Sequence, residues 1–314
     1  MPSYWQLLVL ILPIFVLIAA GTGLRKVGWL TAEADASLLK VVVNFLYPCL
    51  IFENVLGNST LRDPANLLLA PLVGFVTMAS GIGFAYFAGR AMGFTVGHGL
   101  RTFAFAVGIY NYGYIPIPLM TKLFGPESLG VLFVHNVGCE AAVWTVGILV
   151  LSGLSLRDGW RKLLNPPILS LMAAVAINLF GLERLVPVFL RDVVHLCAAC
   201  AVPLALMLIG ATLFEYLSRP LSLFNGKVAV GSCALRLLLL PVAFLVLARF
   251  LPCPVDLKRV IVVQAAMPAG VLSLVIAKHY GGQPLTAAQV MVSTTLVGLG
   301  AIPLWLKAGL AWVF

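Results

Sequence analysis

The stretch that decides the fold is GIYNYGYIPIP, residues 108–118. Its two prolines, Pro116 and Pro118, remove two backbone N–H donors and push the residues before them out of helical geometry. Gly113 adds further conformational freedom. The run lies inside an apolar segment, residues 101–124, that is long enough to cross a bilayer. We therefore expect a helix that enters the membrane, breaks near its centre and then continues.

A second interruption, QAAMPAG at residues 264–270, lies inside the apolar segment 258–280. Irregular backbone at membrane depth is tolerated only where it is buried in protein or lines a wet cavity. Each break also creates a half-helix whose free N–H groups attract an anion, and we expect these half-helices to start at Pro118 and Pro268. Breaks in corresponding spans indicate a transport site, whereas isolated proline kinks are the alternative.

Composition places the whole chain in a membrane. Of its 314 residues 61% are apolar and only 10% are charged, against about 25% charged in soluble domains. The apolar residues form runs of the length that one transmembrane helix needs. We predict an all-α polytopic membrane protein with about ten spans, at residues 5–24, 36–56, 66–89, 101–124, 128–152, 166–182, 190–213, 227–250, 258–280 and 286–312.

The formal net charge of +9 does not indicate nucleic-acid binding. The basic residues stand in ones, twos and threes at helix ends, which is typical of charges that set membrane topology. The first apolar run resembles a signal peptide, but its positive charges, Arg25 and Lys26, follow the run instead of preceding it. We therefore expect a retained first span.

The two halves of the chain resemble each other. Pro48 and Pro203 are 155 residues apart, Pro13 and Pro167 are 154 apart, and the TKLFG ending at Gly125 precedes AKHYG by 156. Chance recurrence in a biased composition is the alternative to duplication. Duplication would give two repeats of five spans, which must insert in opposite orientations because five is odd. The predicted parts are a first inverted repeat (1–153), a short cytoplasmic connection (154–165) and a second inverted repeat (166–314).

The positive charges of the loops predict how the chain is oriented in the membrane. The odd-numbered connections between spans, with their flanks, lie on one side of the membrane and carry eleven Lys and Arg residues. The opposite side carries eight, and Arg236 is not counted because it lies within a span. Because positive charge favours the cytoplasmic side, both termini are expected outside the cytoplasm of a multi-pass protein of the cell membrane, the inner membrane in a bacterium.

Three ionisable side chains are embedded in the predicted spans. Glu140 lies mid-way along the fifth, Arg236 lies within the eighth, and Glu53 lies near the end of the second. Such groups are costly in lipid and usually face the bundle interior. Glu140, helped by Asn136 one turn earlier, can carry the coupling ion, either H⁺ or Na⁺, and Arg236 can balance an anion. A structural ion pair or an interfacial position is the alternative. No cofactor is expected.

The predicted anion site is where the two breaks meet. Asn111 and Gln264 can donate amide hydrogen bonds, and Tyr112 can provide an aromatic wall. Because no lysine is embedded in the spans, we expect binding to depend on neutral dipoles. The candidate substrate-binding residues are Asn111, Tyr112, Gly113, Pro116, Pro118, Gln264, Pro268, Ala269 and Gly270.

Several short motifs, in order along the chain, resemble those of one family. They are NFLYP at 44–48, Asn111 with Pro118, NPPI at 165–168, PLALMLIGA at 203–211, and LRL at 235–237 followed by Pro241. The sequence is similar to a bacterial member of the auxin efflux carrier family, within the bile acid/sodium symporter-like group, although Pro116 stands where glycine is more usual.

The resemblance implies a ten-helix fold with a scaffold part and a transport part, in which the broken fourth and ninth helices cross. It implies small organic anions as substrates, either mono- or dicarboxylates that are auxin-like or malonate- and malate-like. It also implies a coupling role for Asn44 and a possible homodimer through the scaffold helices. The expected partners are thus the anion and the lipid bilayer.

Two other classes of function compete with a secondary transporter. An intramembrane hydrolase lacks support, because there is no H-E-x-x-H motif and no embedded pair of aspartates. An anion channel or a membrane-embedded sensor could share the broken helices and stays open. Alternating access by a secondary transporter is the function that the sequence favours.

Overall fold

The computed structural model describes residues 2–153, 164–218 and 224–314, so most of the predicted connection at 154–165 lies outside the described residues. The described chain is helical, and its one pair of β-bridged residues is isolated. Its longer helices are α1 (Tyr4–Lys26), α2 (Ala32–Val55), α3 (Pro64–Ala91), α4 (Leu100–Gly108), α5 (Pro116–Phe124), α6 (Ser128–Ser152), α7 (Pro166–Leu179), α8 (Val188–Leu217), α9 (Gly226–Phe250), α10 (Val255–Ala265), α11 (Leu272–His279) and α12 (Pro284–Val313).

Seven of these helices are long and apolar enough to cross a membrane: α1, α2, α3, α6, α8, α9 and α12. The other three predicted spans have a different form. The fourth consists of α4 and α5, the ninth consists of α10 and α11, and the sixth is α7, with 14 residues. An all-helical, multi-pass membrane protein is therefore confirmed, whereas the ten-span inverted repeat stays a prediction.

The outer surface is apolar. Large side chains such as Trp5, Leu68, Phe87, Val230 and Phe250 are each more than 70% exposed. Contiguous apolar surface on this scale is unfavourable in water and is what a lipid-facing surface requires. The chain therefore presents its helices to the hydrocarbon core of the bilayer.

Glycines allow two pairs of helices to pack closely. A Cβ atom added at Gly210 on α8 would lie 1.8 Å from the Ile18 carbonyl oxygen on α1. One added at Gly138 on α6 would lie 1.7 Å from the Pro71 carbonyl oxygen on α3. Thr22 strengthens the first pair, because its hydroxyl donates to the Gly210 carbonyl at 2.9 Å. Small residues at such crossings let backbones approach, as is usual between helices in membranes.

Three long helices contain a π-helical turn: Val42–Leu46 in α2, Val143–Gly147 in α6 and Leu235–Leu239 in α9. In α2 and α9 the turn ends just before Pro48 or Pro241, which cannot donate to the preceding turn. The third turn begins three residues after Glu140 and contains Trp144. The turns of α2 and α6 include residues that build the site described next, and the turn of α9 contains Arg236.

Candidate functional site

The two helix breaks are hydrogen-bonded to each other. The Asn111 N–H donates to the Pro268 carbonyl at 2.8 Å, and the Gly270 N–H donates to the Ile109 carbonyl at 2.8 Å. These bonds form an antiparallel bridge between Tyr110 and Ala269. We call residues 109–115 and 266–271 the crossover. The breaks in the fourth and ninth spans are therefore in contact in this structure, as we expected from the sequence.

The half-helices begin two and four residues away from the predicted points. Helix α5 starts at Pro116, so both Pro116 and Pro118 lie in its first turn, where no N–H donor is needed. Helix α11 starts at Leu272. Pro268 is part of the bridge, and the prediction that it starts a half-helix is wrong because its carbonyl accepts the hydrogen bond from Asn111.

A cavity of about 290 Å³ lies against the crossover. The predicted site residues that line it are Asn44, Asn111, Tyr112, Gly113, Glu140 and Gly270. Its other walls are Leu39, Lys40, Val43, Tyr47, Tyr110, Tyr114, Pro167, Val271, Leu272 and Val275. The cavity thus has apolar and aromatic walls with a few polar groups, as small-molecule sites usually do.

Asn111 is the buried side chain with an amide group available at this cavity. It is 5% exposed, and its Oδ1 accepts a hydrogen bond at 3.4 Å from the N–H of Ile115, the residue before α5. Its Nδ2 makes no hydrogen bond within the described residues. Because Asn111 lines the cavity, this nitrogen can donate to a bound ligand.

Backbone donors are also available at the starts of both half-helices. The N–H groups of Gly113 and Tyr114 precede α5, and those of Val271 and Leu272 begin α11. None of the four donates a hydrogen bond within the described part of the chain, and all four residues line the cavity. Unpaired N–H groups at a helix N-terminus, with the positive end of its dipole, favour an anion.

Glu140 is held by two neutral donors. The Tyr112 hydroxyl donates to Oε1 at 2.5 Å, and the Trp144 indole N–H donates to Oε2 at 2.8 Å. The carboxyl group lines the main cavity and also a small cavity of about 30 Å³, which Asn136 lines from the other side. It forms no ion pair with Arg236 in the described structure, so the structural-pair alternative does not apply to this conformation.

Asn136 and Gln264 support the backbone of the crossover without lining the main cavity. Both side-chain amides donate to the Tyr112 carbonyl, at 2.9 Å and 3.2 Å respectively. The Gln264 amide also reaches the Asn136 Oδ1 at 3.5 Å. Neither side chain lines the main cavity, so in this conformation they fix the backbone of Tyr112.

The remaining predicted residues also lie outside the main cavity. Arg236 is fully buried and donates to carbonyls at the end of α10. Glu53 pairs with His195 between α2 and α8, on an exposed surface. The Ala269 N–H donates to the Thr294 hydroxyl at 3.1 Å. Pro116, Pro118 and Pro268 likewise do not line it, and their role in substrate binding stays a prediction.

Lys40 is the charged residue that the sequence analysis missed. It lines the cavity, although we expected no embedded lysine there. Lys40, Asn44 and Tyr47 are spaced i, i+4 and i+7, which places them on one face of α2. The Asn44 amide donates to the Lys40 carbonyl at 2.9 Å within this helix. This periodicity was the signal that could have identified Lys40.

A second cavity of about 300 Å³ adjoins the first and shares Leu39, Tyr114, Val271 and Val275 with it. Its charged lining residues lie near helix ends and are Asp35, Glu215, Lys278 and His279. Asp35 is paired with Arg25, which joins the end of α1 to the start of α2. The site therefore has polar, charged surroundings on the side where these helices end.

The described residues contain no cluster of three or more metal-binding side chains. The arrangement offers donors without acceptors on one wall and a carboxyl group on another. It can bind an anion and exchange a proton. These groups are suited to binding and releasing a small molecule.

Comparisons with known proteins agree with this description. The sequence profile of a family described as membrane transport protein matches residues 6–157 and 152–306. An uncharacterized transporter of Methanothermobacter thermautotrophicus is 27% identical over 302 residues, which is 94% of this chain and 96% of that protein. An uncharacterized transporter of Methanocaldococcus jannaschii is 23% identical over 303 residues, with the same two shares.

A plant protein extends the comparison. Auxin efflux carrier component 3 of Arabidopsis thaliana is 29% identical over 153 residues, which is 48% of this chain and 24% of that protein. The predicted resemblance to auxin efflux carriers is thereby confirmed. Because the family and these relatives are transporters, the protein is a membrane transporter and not an enzyme, and its chain belongs to the membrane transport protein family.

Proposed function

We propose that this protein is a secondary transporter that carries small organic anions by alternating access and binds a carboxylate group at the crossover. The observation that carries the proposal is the cavity beside the crossover, where the Asn111 amide and the first N–H groups of two half-helices lack acceptors among the described residues. A carboxylate supplies the acceptors that these donors require. Hydrogen bonds to a charged partner contribute about 1.5–3 kcal/mol each.

The charges around the cavity support an anion over a cation. Lys40 lines it, and the positive ends of the α5 and α11 dipoles adjoin it. Glu140 is the single carboxyl group among the described residues of the main cavity. When it is ionised it repels a bound anion, and when it is protonated the repulsion disappears.

This repulsion makes H⁺ the coupling ion that we propose. Anion and proton binding must then strengthen each other, because either one binds better when the other is present. Na⁺ is less well supported, because it requires several free oxygen ligands. The Tyr112 carbonyl, the Asn136 Oδ1 and both Glu140 oxygens already accept N–H or O–H donors. Gln264 Oε1 is the buried oxygen there without a partner in the described residues.

Helix packing supports the five-plus-five inverted repeat, which we retain as part of the proposal. If spans one to five correspond to spans six to ten, α1 on α8 is equivalent to α7 on α2, and α3 on α6 is equivalent to α9 on α12. All four pairs are in contact. The bridged breaks are the equivalent fourth and ninth spans. An odd number of spans per repeat then requires opposite orientations.

Topology can be tested by cysteine labelling in a cysteine-free background. The proposed arrangement puts Ser3 on the non-cytoplasmic side and Ser218, seven spans later, on the cytoplasmic side. Ser3→Cys and Ser218→Cys should therefore react with an impermeant maleimide from opposite sides of the membrane. Labelling of both from one side contradicts the inverted repeat.

The proposed substrates are small carboxylates. The cavity lies at the low end of the range for small-molecule sites, which is about 300–1,000 Å³. A plant relative is named as an auxin efflux carrier, and auxin is itself a carboxylic acid. Because the donors are neutral groups that recognise the carboxylate, we expect several mono- and dicarboxylates to bind with modest affinity.

Counterflow in liposomes tests the proposed function. Purified protein should be reconstituted with unlabelled malonate, malate or indole-3-acetate inside and the same labelled compound outside. A carrier accumulates label transiently against its gradient, and its initial rate saturates with concentration. Flux that does not saturate and does not exchange indicates the channel alternative. Absence of both binding and flux for all three compounds contradicts the proposal.

A further inference from the structure

Arg236 is the most unusual buried group that the proposed site does not use. It lies in the π-helical turn of α9 and is 0% exposed. Its Nε donates to the Met267 carbonyl at 2.9 Å, and its Nη2 donates to the Gln264 carbonyl at 3.3 Å. The Gln264 carbonyl lies in the last turn of α10, and the Met267 carbonyl lies two residues past its end, in the region where a helix leaves carbonyls without intrahelical partners. The guanidinium therefore caps this half-helix and opposes the negative end of its dipole.

The same guanidinium contacts the other broken span. Its carbon lies 4.9 Å from the centre of the Tyr110 ring and 5.3 Å from that of Phe244. Tyr110 lines the cavity and forms the bridge with Ala269. Arg236 thus connects the end of α10 to the other segment of the crossover, residues 109–115. The Tyr110 ring separates its guanidinium from the cavity.

Arg236 is buried without a charged partner among the described residues. It makes no ion pair in the described parts of the chain, and its Nη1 is buried without a hydrogen-bond partner there. The one carboxyl group of the main cavity, on Glu140, is bonded to Tyr112 and Trp144 instead. Buried cations are usually paired, because desolvating them is costly. As far as the described residues extend, the positive charge beside the crossover is therefore uncompensated.

The first half of the chain has no equivalent cation. At the repeat offset of 155 residues, the position that corresponds to Arg236 is Gly81. A Cβ atom at Gly81 would lie 3.4 Å from the Gly108 carbonyl oxygen, at the end of α4. Helix α3 therefore packs against the end of α4 through glycine, whereas α9 holds the end of α10 through a charged side chain.

We propose that Arg236 is a positioning residue that clamps the end of α10 to Tyr110 and supplies the positive charge by which the crossover selects anions without contacting them. This inference rests on the proposed function for its second part only. The clamp itself depends on the contacts of Arg236 and exists whatever the substrate is.

Two variants of Arg236 and one control separate the effect of its hydrogen bonds, which form the clamp, from the effect of its charge. Arg236→Gln keeps a hydrogen-bonding group but removes the charge. Arg236→Lys keeps the charge but cannot hold two carbonyls in a fixed plane. Arg249→Gln is the matched control, because Arg249 lies at the C-terminal end of α9, away from the crossover, and donates to the Val313 carbonyl at 3.4 Å.

Two readouts on purified protein decide the matter. Malonate affinity should fall roughly tenfold in Arg236→Gln, the effect of one charge about 10 Å away at an effective dielectric constant of about 20. It should stay within about threefold of wild type in Arg236→Lys. Hydrogen exchange of the two crossover segments should accelerate in both variants. Arg249→Gln should change neither readout.

Two results would overturn the inference. If Arg236→Gln binds malonate with wild-type affinity, the charge of Arg236 does not select anions. If hydrogen exchange of the crossover is unchanged in both Arg236 variants, Arg236 does not clamp the end of α10. If Arg236→Gln does not fold, Arg236→Lys alone decides the clamp by exchange, and loss of its malonate affinity contradicts the role of the charge. If wild-type protein binds no malonate, malate or indole-3-acetate, the proposed function fails, while faster exchange in the variants still establishes the clamp.

Discussion

The two breaks of the crossover are built differently although they are bridged to each other. The first, residues 109–115, contains Asn111 and three tyrosines. The second, residues 266–271, is of nearly the same length but contains only small or apolar residues. The first therefore supplies the side chains that line the cavity, and the second supplies backbone donors and depends on Arg236 for its cap. Two bridged breaks can thus divide recognition and charge between them.

The largest effect should come from filling the space at the end of α4. A Cβ atom at Gly108 would lie 2.6 Å from the backbone nitrogen and Cα of Ile82. Gly108→Ala should destabilise the protein by about 3 kcal/mol, the upper end for overpacking, because backbone atoms must move. The melting temperature in detergent measures this. Gly83→Ala is the control, since nothing lies within 4 Å of its added Cβ atom. Equal melting temperatures for the two variants would show that the end of α4 is not tightly packed.

Asn111 tests which break recognises the anion. Asn111→Ala should weaken carboxylate binding roughly ten- to a hundredfold, because one hydrogen bond to a charged group is lost. Asn54→Ala is the control, because Asn54 also carries an amide side chain but lies outside the cavity, where its amide donates to the Leu50 carbonyl. Isothermal titration with the best-binding carboxylate gives both affinities. Wild-type affinity in Asn111→Ala would move recognition away from the first break.

Glu140 tests the coupling to protons. In wild type, carboxylate affinity should rise as pH falls, because protonation removes the repulsion between Glu140 and the anion. Glu140→Gln should abolish this dependence and hold the affinity near its acidic plateau, roughly tenfold above the alkaline value. Binding titrations across pH 5–9 measure the profile. Glu53→Gln, which changes a carboxyl group paired with His195 outside the cavity, should keep the wild-type profile. A pH profile that Glu140→Gln leaves unchanged excludes Glu140 as the proton carrier.

The smallest effect should come from Lys40, which lines the cavity but is exposed. Lys40→Gln should weaken carboxylate binding about two- to threefold at low salt, and the difference should vanish near 0.5 M salt through screening. The salt dependence of the apparent KM measures this. Lys227→Gln is a suitable control, because Lys227 lies over the Phe94 ring and not at the cavity. A salt-independent loss in Lys40→Gln would indicate direct and desolvated contact with the anion.

Much of the fold could be predicted because apolar run length and proline position are local signals. The predicted span 128–152 coincides with α6, and the spans for α1 and α9 differ by at most two residues at either end. The break at 108–118 was found because Pro116 and Pro118 cannot both occur inside a helix. The sequence could not show that both prolines would fit into the first turn of α5, since that depends on where the bridge holds Ile109 and Asn111.

The site was predicted less completely than the fold. Asn111, Tyr112 and Glu140 were identified because polar groups in apolar runs are costly. The roles of Gln264 and Arg236 as supports of the backbone depend on which carbonyls the breaks leave unpaired, and that is a tertiary property. Lys40 was missed because it lies near a helix end, where lysine usually marks topology and not a cavity.

The central claim is that the carboxylate binds between Asn111 and the starts of α5 and α11. Its most direct test is a structure determined with the carboxylate that raises the melting temperature most among malonate, malate and indole-3-acetate. The account predicts ligand density with a carboxylate oxygen about 3 Å from Asn111 Nδ2 and from an N–H group of residues 113–114 or 271–272. Ligand density elsewhere, with the crossover cavity empty in the same structure, would contradict it.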